Sequence, residues 1–308
     1  MTTGVRTLRV GTRASLLART QTDLVVAALA MTVEIVPVVT EGDRSTAAVD
    51  QLGGTGVFVS ALRDALLRDE IDVAVHSYKD LPTAPAAGIV IAAVPVREDP
   101  RDALVAVGGH VLGDLPPGAR VGTGSARRTA QLRALGLGLD IVPIRGNVDT
   151  RLAKVSSGEL DAVVLALAGL RRLGRTAEIT EVLDPIQILP APAQGALAIE
   201  CRADDQMTID ALIAIDDPDT RAVAAAERAL LAALEAGCTA PVGALGEVAE
   251  DEGGNLELFL RGSVTALDGS DAVRLSATGP YGDPDGLGRR LAEDLIADGA
   301  QLMMGSSR

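Results

Sequence analysis

The run His76-Ser77-Tyr78-Lys79-Asp80 gathers one of two histidines, one of two tyrosines and one of two lysines in a chain of 308 residues. It follows an apolar run, Ile71–Ser77, that reads as a strand. The C-terminal end of a strand is where α/β folds place ligand sites. An aspartate beside a cation stays ionised and can offset positive charge developing on a reacting group. Asp80 is therefore the candidate catalytic residue. An ordinary polar exit from a strand accounts for the same run, so both readings stay open on these residues alone.

Arginine recurs at four turns. Arg13-Ala14-Ser15 lies between a strand over Leu8–Gly11 and a helix over 15–29. Thr123-Gly124-Ser125-Ala126-Arg127-Arg128 repeats that design. Arg145-Gly146-Asn147-Val148-Asp149-Thr150-Arg151 repeats it again, and Arg172 follows a fourth β-like run. Helix N-termini offer free N–H groups and a positive dipole end. A guanidinium grips a planar carboxylate with two parallel hydrogen bonds, which an ammonium cannot imitate. Four such turns suggest a ligand with several carboxylates. Helix capping alone would explain Ser15, and Arg127 and Arg128 would also suit an exposed helix face. Neither GxxxxGK[ST] nor GxGxxG occurs at these turns, so they are not nucleotide loops.

The two cysteines form no disulfide framework and fit a reducing compartment. Cys238, in Gly237-Cys238-Thr239-Ala240-Pro241, lies just past a strong helix over 220–236 that Gly237 is placed to stop. A free cysteine is most often a small buried hydrophobe, so the position alone does not make Cys238 a nucleophile. Cys201, inside an apolar run, reads as structural. The scattered histidines and cysteines lack metal-ligand spacing, and no Ser–His–Asp pattern is present.

These residues hang on alternating strands and helices through the first two-thirds of the chain, the pattern of α/β layers with mixed or parallel sheets. A second unit begins after Glu98-Asp99-Pro100 and ends in the crossing Leu189-Pro190-Ala191-Pro192-Ala193-Gln194-Gly195. A third, α+β, starts near Asp216-Asp217-Pro218. It holds hairpin-like runs at 255–267 and 272–278, joined by Asp268-Gly269, and a last helix over 286–298. Sequence self-similarity is absent.

Aromatic residues make up 1% of the chain, so the core is built from Ala, Val, Leu and Ile. Residues 101–175 carry 11 basic and 6 acidic side chains, whereas 201–308 carry 8 and 20. A positive island thus sits in a protein of net charge −14. That balance, with few rings for base stacking, argues against nucleic acid as a partner and for a focused anion site. The N-terminal stretch has no signal-peptide pattern and no apolar run reaches membrane-spanning length. We expect a cytoplasmic protein with no membrane partner and no metal.

Taken in order, GTRASLLA, GGTGVFVSAL, DVAVHSYKDLP, REDPRDAL, VGTGSARR, RGNVDTRL, LALAGLRRLG, LPAPAQGALAIECR and AERALLAALEAGC with TAPVGA resemble porphobilinogen deaminase (hydroxymethylbilane synthase) over nearly the whole chain. The resemblance implies two α/β lobes with mixed sheets, like type-2 periplasmic binding proteins, plus a small C-terminal α+β domain. Domain 1 would be 1–96 with 196–216, domain 2 97–195, and domain 3 217–308, carrying the cofactor cysteine. It implies a monomeric transferase that joins four porphobilinogen molecules, with loss of ammonia, into the linear tetrapyrrole hydroxymethylbilane. The primer would be a dipyrromethane held by a thioether to Cys238. Asp80 matches the family's catalytic aspartate. Lys79, Ser77, Thr123, Ser125, Arg127, Arg128, Arg145 and Gly146 match cofactor contacts, with Asp80 among them. Arg13, Ser15, Arg151, Arg172, Gln21, Gln194 and Phe58 match substrate contacts. Thr55 stands where many members have Lys, and Gly124 where Ser is common. The rival reading is a non-enzymatic polycarboxylate-binding protein with similar lobes, which needs neither Asp80 nor Cys238.

Overall fold

The computed structural model describes residues 6–38, 56–235 and 240–304, with side chains from Val59 onward in the middle stretch. The first described elements are β1 (Leu8–Thr12), α1 (Leu16–Ala28), β2 (Val33–Pro37), α2 (Gly56–Leu67), β3 (Val73–Ser77) and β4 (Ile89–Ala93). Next come β5 (Asp102–Ala106), β6 (Arg120–Thr123), α3 (Ala126–Ala134), β7 (Asp140–Pro143), α4 (Val148–Ser156), β8 (Ala162–Ala166), α5 (Leu167–Arg172) and β9 (Glu181–Val182). The chain then forms β10 (Leu197–Arg202), α6 (Gln206–Ile213), α7 (Pro218–Ala233), β11 (Val242–Glu250), β12 (Leu256–Thr265), β13 (Ala272–Pro280), α8 (Pro284–Ala297) and α9 (Ala300–Met303).

Two compact units result. One comprises residues 1–97 and 196–221, the other 98–195 and 222–308. The first unit is built on a five-stranded sheet of order β2-β1-β3-β10-β4. β1 runs parallel to β2 and β3, while β10 is antiparallel to β3 and β4. Side chains alternate across it as a strand's period of two demands. Val73 and Val75 join Leu197, Ile199 and Cys201 in one core layer, and Ala74 packs with Leu62, Leu66 and Ile71 of the other.

The second unit holds a sheet of order β7-β6-β8-β5-β9. Here β6 is parallel to β7 and β8, and β5 is antiparallel to β8 and β9. Both sheets thus place three parallel strands before an antiparallel return, a repeat of architecture without a repeat of sequence. Leu104, Val121 and Val164 fill one face, and Ala103, Val105 and Val163 the other. The same unit contains the antiparallel sheet β11-β12-β13. Its inner face is closed by Leu230, Leu287, Leu291 and Leu295 from α7 and α8. The expected mixed α/β layers and the small α+β part are therefore present.

α7 starts at Pro218 and ends at Ala233, and Glu235 already has φ 51. The expected stop at Gly237 lies outside the described residues. Among the described residues no helix is long and apolar enough to cross a membrane.

Candidate active site

In the first unit the candidate residues cluster at one end of β1 and β3. Ser15 caps α1, its hydroxyl accepting from the Ala18 amide at 3.3 Å. Arg13, half-buried, sits in the turn before it. Ser77 ends β3, and its neighbour along the strand must face the opposite way. On one side Ser77 Oγ accepts from Gln21 Nε2 at 2.9 Å. Gln21 is buried, so its amide orients Ser77. On the other side His76 Nε2 lies 3.3 Å from Glu200 Oε2, an ion-pair approach rather than a directed hydrogen bond. Arg63 closes on the same carboxylate from Nε at 3.0 Å and Nη2 at 2.7 Å. Burial pushes the Glu200 carboxyl up, but His76 and Arg63 outweigh it and bring it down to about 2.

Immediately after Ser77 the backbone turns through a short 3-10 helix, Tyr78–Asp80. Lys79 and Asp80 are half-buried there while Tyr78 is buried. The Asp80 carboxylate has no hydrogen bond or ion pair to a described residue, so its acceptor capacity is available to a ligand.

The second unit carries the arginines. Ser125 caps α3, accepting from the Arg128 amide at 3.4 Å, and its own amide donates to the buried Thr123 hydroxyl at 3.2 Å. Arg127 and Arg128 follow in the first turn. Neither lies on an exposed helix face: they are 3% and 6% exposed. Both guanidiniums close on Asp102, the first residue of β5, which is 0% exposed. Arg127 Nη2 donates to one carboxylate oxygen at 2.8 Å, and Arg128 Nη2 and Nε donate to the other at 2.7 and 3.1 Å. Gln194 Nε2 adds a bond to Asp102 at 2.8 Å and one to the Pro100 carbonyl at 2.7 Å. Burial pushes the Asp102 carboxyl up, and the two guanidiniums with these bonds hold it well below the carboxylate range.

Arg145 is exposed at the next turn. Asn147 caps α4, and Arg151 Nε donates back to the Gly146 carbonyl at 2.9 Å. Arg172 Nη2 donates to the Gly195 carbonyl at 2.7 Å. Burial lowers the affinity of both guanidiniums for their protons, with Arg128 adding to the effect at Arg151. Both cations donate to carbonyl oxygens, and Glu98 also attracts Arg172 through space without a hydrogen bond to it. Arg127 Nε, also buried, has no hydrogen-bond acceptor among the described residues. At Gly124 a Cβ would stand 2.6 Å from the Ile144 carbonyl oxygen, so a Ser there would require the turn to open.

Cys238, Thr55 and the side chain of Phe58 lie outside the described residues. Cys201 is buried in the first unit's core, and burial pushes its thiol up to about 11. That is the profile of an inert, structural cysteine.

The model for the porphobilinogen deaminase dipyrromethane cofactor binding domain matches residues 8–210, and that for the porphobilinogen deaminase C-terminal domain matches 222–297. The chain is 60% identical over 304 residues to the porphobilinogen deaminase of Nocardia farcinica, covering 96% of this chain and 88% of that one. It is 56% identical over 308 residues to that of Mycobacterium avium, covering 98% of each. The chain belongs to the porphobilinogen deaminase family. Among solved structures, a putative methionine-binding lipoprotein from Bacillus subtilis has a TM-score of 0.41 at 15% identity, covering 68% of this chain and 89% of that one.

The family's cofactor is an oligopyrrole bearing acetate and propionate groups. The second unit's donor set fits it: the guanidiniums of Arg151 and Arg172 meet carbonyl oxygens, and the buried Arg127 Nε lacks an acceptor among the described residues. Sequence reasoning missed Asp102 and Glu200, the carboxylates that gather the guanidiniums of Arg127 and Arg128 in the second unit and of Arg63 in the first. Each is a lone acid set in or beside an apolar run, Asp102 before ALVAV and Glu200 after ALAI, and that is the signal that could have exposed them.

Proposed function

We propose that this protein joins four porphobilinogen molecules, with loss of ammonia, into linear hydroxymethylbilane on a dipyrromethane held by a thioether to Cys238. The observation that carries this reading is Asp80, a half-buried carboxylate at a strand end that no described residue engages, in a chain whose second unit sets the half-buried Arg151 and Arg172 against carbonyl oxygens. The bound dipyrromethane would supply the nucleophilic pyrrole α-carbon that starts the chain.

The protein's own residues do the rest. Asp80 accepts hydrogen bonds from pyrrole N–H groups and offsets the positive charge that develops as ammonia leaves. Arg127, Arg128 and Arg145, with Thr123, Ser125 and Gly146, hold cofactor carboxylates. Lys79 and Ser77 contact the cofactor beside Asp80. Arg13, Ser15, Arg151 and Arg172 take the carboxylates of incoming porphobilinogen. Gln21 serves the same site by fixing Ser77. The covalent tether keeps each intermediate in place between additions. Cys201, buried and raised in pKa, leaves Cys238 as the thiol for that tether. A reducing, cytoplasmic setting suits a chain whose thiols must stay free.

Incubation with porphobilinogen tests the reading. Ammonia should be released together with a linear tetrapyrrole, one tetrapyrrole for every four ammonia molecules. Tight binding of porphobilinogen without ammonia release would instead favour a non-enzymatic polycarboxylate-binding protein.

A further inference from the structure

Arg127 and Arg128 are adjacent on α3, and adjacent helix residues do not face each other. They also occupy the first helical turn, where the dipole disfavours cations. Helix geometry therefore explains neither their convergence nor their charge. What brings them together is Asp102, wholly buried, which takes Arg127 on one oxygen and Arg128 on the other. Two further donors are fixed: Arg127 Nη1 on the Leu189 carbonyl at 2.6 Å and Arg128 Nη1 on the Val164 carbonyl at 3.1 Å, while Arg127 Nε has no acceptor among the described residues. Gln194 completes the array by bridging Asp102 to the Pro100 carbonyl. The cluster holds two cations and one anion, so one positive charge remains for a ligand carboxylate.

Resting on the function proposed above, we infer that Asp102 is a positioning residue for cofactor loading and chain elongation. It sets the two guanidiniums in one geometry before the ligand arrives and limits their buried charge to one. Gln194 belongs to the same array and acts through it rather than by touching substrate. A misplacement of about 1 Å at such a site costs about 100-fold in rate.

The test compares Asp102→Asn, Asp102→Glu, Arg127→Gln and the double variant Asp102→Asn/Arg127→Gln. The readouts are thermal midpoint, the fraction carrying the cofactor mass after exposure to hydroxymethylbilane, and kcat and KM for porphobilinogen. For Asp102→Asn the expected result is slower loading and, in loaded protein, a fall of about 100-fold in kcat with KM within about threefold. Asp102→Glu, which keeps the charge, should recover part of the loading rate. In the Arg127→Gln background the asparagine change should cost clearly less than the roughly 100-fold it costs alone, because one of the two residues it positions is gone and only Arg128 is left to be misplaced. The double variant also returns the buried charge to one, so it keeps the test open if Asp102→Asn alone does not fold. Loading and kcat of Asp102→Asn close to those of the unsubstituted protein would overturn the inference. So would a loss of the same size, about 100-fold, when asparagine is added to Arg127→Gln, since a merely structural role multiplies in full. Failure of the underlying function would look different: the unsubstituted protein itself would acquire no pyrrole mass.

Discussion

Replacing Glu200 with glutamine removes the charge on which Arg63 and His76 converge beneath the strand that leads to Asp80. The carboxyl falls from 4.5 to about 2 in the folded chain, because His76 and Arg63 outweigh the opposing effect of burial. A carboxyl depressed by folding contributes stability above its unfolded pKa and loses it as pH falls through its folded pKa. Two and a half pKa units correspond to about 3 kcal/mol at neutral pH, shrinking to about 2 kcal/mol by pH 3.5. Glu200→Gln should therefore unfold in less urea at pH 7 by about that amount, and its deficit should narrow as pH drops below 4.5. Arg63→Met, which leaves the carboxylate buried with only His76 at 3.3 Å, should cost about 3–5 kcal/mol at pH 7. The assay is urea unfolding followed by far-UV circular dichroism at several pH values. A Glu200→Gln deficit that stays constant from pH 7 to pH 3.5 would refute the reasoning, as would an Arg63→Met variant of unchanged stability.

Other perturbations separate chemistry from scaffold. Asp80→Asn should keep the unfolding midpoint and the cofactor mass while kcat falls by at least about 100-fold; near-normal turnover would remove the role given to it. Cys238→Ser should yield protein without any covalent pyrrole by intact mass, and a retained adduct would point to a different tether. Gly195→Ala should destabilise the protein by at least about 1–2 kcal/mol in urea unfolding. The residue has φ 88 and an added Cβ would run into the Glu98 carbonyl oxygen. The same change should slow turnover, since the Gly195 carbonyl is where Arg172 is held.

Much of the fold was legible because its strands and helices obey their own periods. Leu8–Thr12 and Leu16–Ala28 fall within a residue of the strand over Leu8–Gly11 and the helix over 15–29 that their patterns announce. β11 was not legible. Its run Val242–Glu250 is broken by Gly243 and Gly246, which look like turn residues yet serve close approach. A Cβ at Gly246 would press on Val223 at 3.0 Å, and its amide donates to the buried Glu227 carboxylate at 2.8 Å. α5 was not legible either, because Leu167–Leu170 continues the apolar composition of the run before it. At the site, the turns that present Arg13, Arg145 and Arg151 were readable from small polar residues before helices, whereas Arg172, expected at a fourth such turn, is the last residue of α5, which no small polar residue caps. The arrangement of Arg127 and Arg128 was not. Two arginines opening a helix resemble a solvated face, and only tertiary structure reveals that a carboxylate some 25 positions away draws both inward.

The central claim is that porphobilinogen units grow covalently on Cys238. Intact-protein mass spectrometry of the full chain, before and after brief exposure to limiting porphobilinogen, tests it most directly, with the modified peptide located by fragmentation. The expected result is a resident dipyrromethane mass on Cys238 and a ladder above it in equal steps of one pyrrole unit, collapsing to the resident mass as product leaves. A chain that stays unmodified with porphobilinogen and with preformed hydroxymethylbilane, or a ladder mapped to any other residue, would contradict it.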